Sequence, residues 1–316
     1  MNRHSFISSF DARRYLVVVT VATLLGLGLL GATIHGAFKH GILTNRDEAL
    51  INHRLAKAAR PEPLDVVIVG DSSAGNGIDD AVLSTILGSS VANLALTGSY
   101  GLEGSLNMAL RSLHTGARTV IVVQTPETGI RGGAPAGHIR TARRLTDLEP
   151  LTAWEWTQGI WQIAKTRVRA RIITAALSER LLAPGKAHMS HDYIVQGDRL
   201  DAEALNRYVG VVSISPQQIN PVFGQRLQWI ANTCMREELT CIYAHGPIYA
   251  GFCQTWRPYI DAMNQVIKAS GLRLAAEQPL CVPAEHMGDT FDHVHPQAKA
   301  WATAAYGRIL APVLAK

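Results

Sequence analysis

Charge is scarce in this sequence. Asp, Glu, Lys and Arg make up only 17% of 316 residues, whereas hydrophobic residues make up 47%. A chain so apolar can bury enough surface to offset its ordering entropy, which excludes a disordered protein. Cysteine is also scarce, at four residues, which excludes a disulfide-dense miniprotein. No Cys-x-x-Cys and no Cys/His spacing suggests zinc. Internal repeats and low-complexity tracts are absent, which excludes a collagen-like array. The length leaves about two domains, or one large α/β domain with an extra piece.

The net charge is +5, but it is unevenly placed. Residues 131–200 hold 11 Lys and Arg against 6 Asp and Glu, and the rest of the chain balances at 19 against 19. One segment carries the whole excess, and no nucleic-acid motif accompanies it, so nucleic acid is not an expected partner. The same segment holds Trp154, Trp156 and Trp161, followed by the basic run Lys165 to Arg171. Aromatic and basic residues together suit a glycan platform, an anionic polymer or a membrane surface. The plainer reading, which we prefer, is a helical subdomain that buries its Trp and exposes its Arg.

One long uncharged run stands out. Tyr15 to Ile34 reads YLVVVTVATLLGLGLLGATI, 20 residues, enough to span a hydrocarbon core of ~30 Å. Arg3, Arg13 and Arg14 precede it. The positive-inside rule then keeps the N-terminus in the cytoplasm and exports everything after residue 35. A cleaved signal peptide competes, but Leu30-Gly31-Ala32-Thr33-Ile34-His35 is a poor cleavage site and the run exceeds a normal h-region. The expectation is a single-pass protein of a cell inner membrane. Residues 1–35 form the cytoplasmic tip and transmembrane anchor, 36–63 a stalk ending in Pro61-Glu62-Pro63, and the remainder is periplasmic or extracellular. An even cysteine count in an exported chain permits two disulfides. Three connectivities are open. Cys234–Cys241 and Cys253–Cys281 are favoured because each pair falls near the ends of neighbouring expected elements.

Beyond the stalk, strands alternate with helices. Asp65–Val69, Val91–Leu96 and Thr119–Val123 read as strands, and Asp79–Leu87 and Tyr100–Leu113 as helices. The first run is continuous and β-branched, as in a strand buried on both faces. The alternation stops over 128–215, which reads as an inserted basic helical subdomain. It resumes with helices at about 217–236 and 256–269 and strands at Thr240–Ala244 and Leu272–Ala275. A last helix starts at Pro296. This pattern predicts an α/β class domain over 64–316, a parallel sheet with helices on both faces.

Three short blocks carry candidate chemistry. The first strand ends in Gly70-Asp71-Ser72-Ser73. A serine just beyond the carboxyl end of a parallel strand has an accessible hydroxyl and a neighbouring N–H for a developing oxyanion. The second strand runs through Asn93 to Thr97-Gly98-Ser99, where a glycine N–H can be a second oxyanion donor. Near the C-terminus comes Asp289-Thr-Phe-Asp292-His293-Val294-His295-Pro296. A serine hydroxyl needs a base, histidine is the usual one, and a carboxylate must orient it. Asp292, three residues before His295, can do this locally. His245, at the end of the fourth strand, is a candidate site-wall residue.

Together these blocks resemble the SGNH/GDSL hydrolase superfamily over about residues 64–127 and 238–314. The resemblance implies a three-layer, flavodoxin-like domain with about five mainly parallel strands. It makes Ser72 the nucleophile, Ser72 and Gly98 oxyanion donors, and Asp292 and His295 the rest of a triad, with His293 a neighbour. It implies no metal and no organic cofactor. The family's hydrolases usually carry Gly-x-Asn-Asp after the third strand, whose Asn is a third donor. Here that place reads Val123-Gln124-Thr125-Pro126-Glu127, with Gln124 or Thr125 as the substitutes on offer. This departure and the single anchor look more like the envelope branch, similar to alginate O-acetyltransferases and the D-alanyl-lipoteichoic acid transfer protein. That branch implies an O-acyltransferase or esterase acting on a cell-envelope or exported glycan beside a multi-span membrane-bound O-acyltransferase. The different class of reading is a non-catalytic scaffold or glycan-binding subunit that keeps the fold, with Trp154, Trp156 and Trp161 as glycan contacts.

Overall fold

The structure is a computed structural model and describes residues 12–39, 46–148, 151–168 and 199–315. Contacts divide it into two units. The first holds the N-terminal helix, and the second begins at Leu50.

In the first unit, α1 runs over Ala12–Lys39, 28 residues. Its apolar side chains from Tyr15 to Leu30 are exposed. Among the described residues no helix is long and apolar enough to cross a membrane. The transmembrane reading therefore goes no further here than a helix with exposed apolar side chains. The expected cytoplasmic tip, 1–11, lies outside the described residues.

Within the segment expected as a stalk lies a second helix, α2 (Arg46–Ala58). From Leu50 on it belongs to the second unit, where Leu50, Ile51 and Ala58 are buried. Arg54 is only 1% exposed. Its Nη1 donates to the Asn93 carbonyl at 2.9 Å and its Nε to the Ala95 carbonyl at 3.2 Å. Those carbonyls lie at the end of a short strand, and the arginine fork satisfies them where buried backbone oxygens need partners.

Among the described residues seven strands follow: β1 (Val66–Gly70), β2 (Val91–Asn93), β3 (Thr119–Gln124), β4 (Thr240–His245), β5 (Ile248–Tyr249), β6 (Arg273–Leu274) and β7 (Cys281–Val282). Five form one sheet in the order β2-β1-β3-β4-β6, with every neighbouring pair parallel. This is the flavodoxin-like order, so the expected parallel α/β architecture is present. β5 and β7 form a separate two-stranded parallel ladder that the sequence pattern did not suggest, each strand being two residues long.

The helices are α3 (Ser72–Gly77), α4 (Asp80–Leu87), α5 (Gly101–Arg111), α6 (Pro135–Thr141), α7 (Ala153–Val168), α8 (Ala202–Val211), α9 (Phe223–Arg236), α10 (Ala250–Thr255), α11 (Arg257–Ala269) and α12 (Lys299–Leu314). They cover both faces of the sheet. On one face Val67, Val69, Val120, Val122 and Tyr243 pack with Leu102 and Leu106 of α5, Leu227 and Ile230 of α9, and Ile260 of α11. On the other, Val66, Ile68, Ile121, Val123 and Ala244 pack with Ala74 and Ile78 near α3, Leu83 of α4, and Tyr306 and Leu310 of α12. Strands buried on both faces read as unbroken apolar runs rather than as alternation. Among the described residues of the expected insertion, 128–215, every regular element is helical. Its basic residues Arg169, Arg171, Arg180 and Lys186 lie outside the described residues.

Both favoured disulfides are present, Cys234–Cys241 between α9 and β4 and Cys253–Cys281 between α10 and β7. They close loops with sequence separations of 7 and 28 residues. In the chain-entropy account, closing a loop removes freedom from the unfolded state, roughly 2–3 kcal/mol for the short loop and about 3–4 kcal/mol for the long one. Replacing Cys253 and Cys281 together by Ala should therefore lower unfolding stability more than replacing Cys234 and Cys241. Urea denaturation of the two double variants measures the difference. The reverse order would show that native packing, not loop closure, sets their contributions.

Candidate active site

The sheet order changes direction between β1 and β3, and in open parallel sheets ligands bind beyond the carboxyl ends of the strands at such a point. Here the two ends approach closely, because Gly70 pairs in register with Val123. A Cβ on Gly70 would overlap the Val123 carbonyl oxygen, so the approach requires glycine. The next residue, Asp71, is buried. Its Oδ2 accepts from the Thr125 N–H at 3.0 Å. Its Oδ1 accepts from the Ser73 N–H at 3.1 Å and the Ser73 hydroxyl at 2.5 Å. One carboxylate thus caps α3 and ties the end of β1 to the end of β3. Burial, with the Asp292 carboxylate nearby, pushes the Asp71 carboxyl above its ordinary pKa, while Ser73, Thr125 and Arg131 pull it back.

Ser72 is the first residue of α3 and is half-buried. Among the described residues its hydroxyl makes no hydrogen bond. Behind it, Asn93 acts as a clamp. Its Nδ2 donates to the carbonyls of Ala74 (3.1 Å) and Ile78 (2.8 Å), and its Oδ1 accepts from the Ala95 N–H (3.0 Å). Asn93 therefore holds the last turn of α3 to the end of β2. Five residues later Gly98 opens a short 3-10 turn, Gly98–Tyr100. A Cβ on Gly98 would overlap Nη1 of Arg131, which places the guanidinium against this glycine. Glu127 accepts from Nη2 of the same arginine.

The third block lies in a hairpin closed by an antiparallel bridge between Met287 and Val294. Phe291 anchors it, with its ring 5.1 Å from Phe252 and 5.6 Å from Trp256. Within the hairpin His293 Nδ1 lies 2.8 Å from Asp289 Oδ1, and Nε2 lies 3.9 Å from Asp292 Oδ1. The structure does not pair Asp292 with His295. Asp292 Oδ1 instead accepts from the Thr290 hydroxyl. His295 caps the turn at Pro296–Ala298, its Nδ1 accepting from the Gln297 N–H at 3.3 Å. Burial and the Arg199 charge hold His295 below its ordinary pKa. The Asp-x-x-His spacing is thus met in sequence, but the turn hydrogen bond directs the ring elsewhere.

Several other expected roles change. Gln124 is buried, with its Nε2 donating to Ser105 Oγ (3.1 Å) and its Oε1 accepting from Thr128 Oγ1 (3.2 Å). It is committed to the core rather than free as an oxyanion donor. The Thr125 N–H is committed to Asp71. His245 is buried, its Nε2 2.7 Å from Asn264 Oδ1, and burial lowers its pKa. It is a core residue, not a site wall. Trp154 and Trp161 are each 68% exposed on α7, and Trp156 is exposed as well, so the preferred reading that buries them is not met. Among the described side chains of α7 the buried position is Gly159, where a Cβ would meet Pro135 and Ile139. No hydrogen bond or ring contact joins the three Trp to Ser72, Asp71 or Gly98 among the described residues.

Sequence reasoning missed Asp71 as a tie, Arg131 beside Gly98, and the Asp289–His293 pair. The last had a signal, a carboxylate four residues before a histidine in the same block. No known family model matches this chain, and no curated protein is similar enough to count as a relative.

His293 yields a pH prediction. Burial would lower its pKa, but the Asp289 hydrogen bond and the charges of Asp292, Asp289 and Asp71 outweigh it, so the folded-state value lies above the ordinary 6.5. A raised histidine pKa contributes stability that is fully present below the unfolded value and is lost as pH rises through the folded value. Unfolding stability measured from about pH 6 upward should therefore fall in the wild type and fall less in His293→Gln. Parallel curves for the two proteins would refute this role for the ion pair.

Proposed function

We propose that this chain is a membrane-anchored, exported serine O-acyltransferase or esterase of SGNH type, acting on acyl esters of a cell-envelope or exported polysaccharide. The observation that carries the reading is Ser72. It follows the carboxyl end of β1 at the switch point of a flavodoxin-like sheet, with its hydroxyl unengaged among the described residues and the Asp292 loop within electrostatic reach of Asp71. Two disulfides suit an oxidising compartment. The uncharged stretch Tyr15–Ile34 inside α1 suits an anchor. A multi-span acyltransferase fits as the supplier of acyl groups across the membrane.

In this scheme Ser72 Oγ attacks the acyl carbon of an ester and gives its proton to a histidine. The N–H groups of Ser72 and Gly98 face the developing oxyanion. Collapse expels the alcohol, which takes the proton, and leaves an acyl-enzyme. A sugar hydroxyl, or water in an esterase, then releases the acyl group with the same histidine as base. Transfer wins only where the acceptor is held and water is excluded. His295 is the base that the resemblance implies. Its use requires the ring to leave Gln297 and donate Nδ1–H to Asp292, because a nitrogen accepting from Gln297 carries no proton. The 2.8 Å bond between His293 Nδ1 and Asp289 favours a second reading, in which Asp289 orients His293 and Nε2 is the base. The non-catalytic scaffold is the alternative of another class, favoured by the open Asp292–His295 pair.

A fluorophosphonate probe tests the scheme. Ser72→Ala should abolish labelling of the folded protein, and equal labelling of wild type and variant would refute the nucleophile. Removing the true base should cost about 10²–10⁴ in ester turnover, so His293→Gln and His295→Gln measured side by side identify it. Adding acceptor glycan separates the activities: release of free acid alone would exclude transfer.

A further inference from the structure

The connection after β3 lacks the asparagine that the resemblance calls for, and Gln124 and the Thr125 N–H are both committed elsewhere. The same connection nevertheless delivers a donor. From Gln124 the chain makes the short turn Pro126–Gly129 and reaches Arg131, whose Nη1 stands against Gly98. We propose that Arg131 is a catalytic oxyanion donor, its Nη1–H bonding the carbonyl oxygen of a bound acyl ester as negative charge develops there. The inference rests on Ser72 being the nucleophile.

Three observations support it. First, the guanidinium is held. Glu127 occupies Nη2, and a donor fixed before reaction needs no reorganisation during it. Second, it is available. Among the described residues Nη1 makes no hydrogen bond, and the side chain is 42% exposed, open to a ligand. Third, it sits in the field of the site, close enough to Asp71 and Asp292 that both carboxylates favour its charged form. A partly exposed ion pair contributes little to a fold, so stability alone gives little reason for this placement.

The step balances. Ser72 Oγ forms a bond to the acyl carbon, the carbonyl π pair moves onto oxygen, and the Ser72 proton passes to the histidine. Arg131 keeps its protons and donates only a hydrogen bond. When the tetrahedral species collapses, the pair returns, the ester C–O bond breaks, and the departing alcohol takes the proton from the histidine.

p-Nitrophenyl acetate, a neutral ester, tests this with no anionic group for Arg131 to anchor. Wild type, Ser72→Ala, Arg131→Met and Arg131→Lys are compared for kcat, KM and Tm. The expected result is a Ser72-dependent activity whose kcat falls about 10²–10³ in Arg131→Met, with KM and Tm near wild type. Arg131→Lys should lose at least about tenfold, because a single ammonium cannot hold Glu127 and reach Gly98 together. It also decides the matter should Arg131→Met fail to fold. Unchanged kcat in either folded variant, or a change in KM alone, would overturn Arg131 as a donor and leave Ser72 standing. An inert wild type, or a Ser72→Ala variant as active as wild type, would overturn the serine reading and this inference with it.

Discussion

The arrangement at the end of the sheet depends on one buried carboxylate. Asp71 accepts from the Ser73 N–H, the Ser73 hydroxyl and the Thr125 N–H. A buried charge without such donors is strongly unfavourable. The donors sit on two different strand exits, so the carboxylate is satisfied only when β1 and β3 are in register and α3 has begun. That requirement, with the bare Cα of Gly70 against Val123, sets where Ser72 emerges. Satisfaction is incomplete, since burial and Asp292 still raise the Asp71 pKa. Such tension is a feature of functional sites more often than of plain cores.

The surroundings are acidic in a chain whose net charge is positive. Asp71, Asp289, Asp292 and Glu127 stand near one guanidinium and one imidazole. Arg131 and His293 are therefore both pushed toward their charged forms. The hairpin that brings in three of these groups is held from behind, by the Phe252, Trp256 and Phe291 rings and by the Cys253–Cys281 bond. Packing thus forces like charges together, and the cations relieve them.

The sheet was legible in the sequence because its strands are buried on both faces and read as short β-branched runs. The β5–β7 ladder was not, since two-residue strands carry no period. The serine, the glycine and the histidine block were legible as motifs. Their mutual geometry was not, because a hairpin decides side-chain direction. Thr290 and Gln297, which engage Asp292 and His295, have no signature in spacing. Gln124 and His245 looked available because polar residues at strand ends often face a ligand, yet each found a buried polar partner. Arg54 shows the same blindness in reverse: a charge in a polar stretch read as stalk, though its fork closes two backbone carbonyls in the core.

The basic excess also takes on a different meaning. Where its arginines are described, they are mostly fasteners. Arg140 lies over the Tyr100 ring at 5.4 Å, Arg143 donates to the Leu110 carbonyl, and both Arg143 and Arg144 engage Glu237. From the other side Arg111 donates to the carbonyls of Thr141 and Ala142. Cations cross in both directions between the expected insertion and the rest of the α/β domain, so these described charges are engaged rather than free. What they hold is α6, whose Gly137 presses backbone to backbone on Ser99 and Tyr100. That contact fixes the turn that begins with Gly98. The expected insertion therefore bears on the candidate site through Arg131 to Arg144, by setting the glycine turn and delivering Arg131 beside it. Its exposed Trp helix stands apart from that task, carried on the same fastened support.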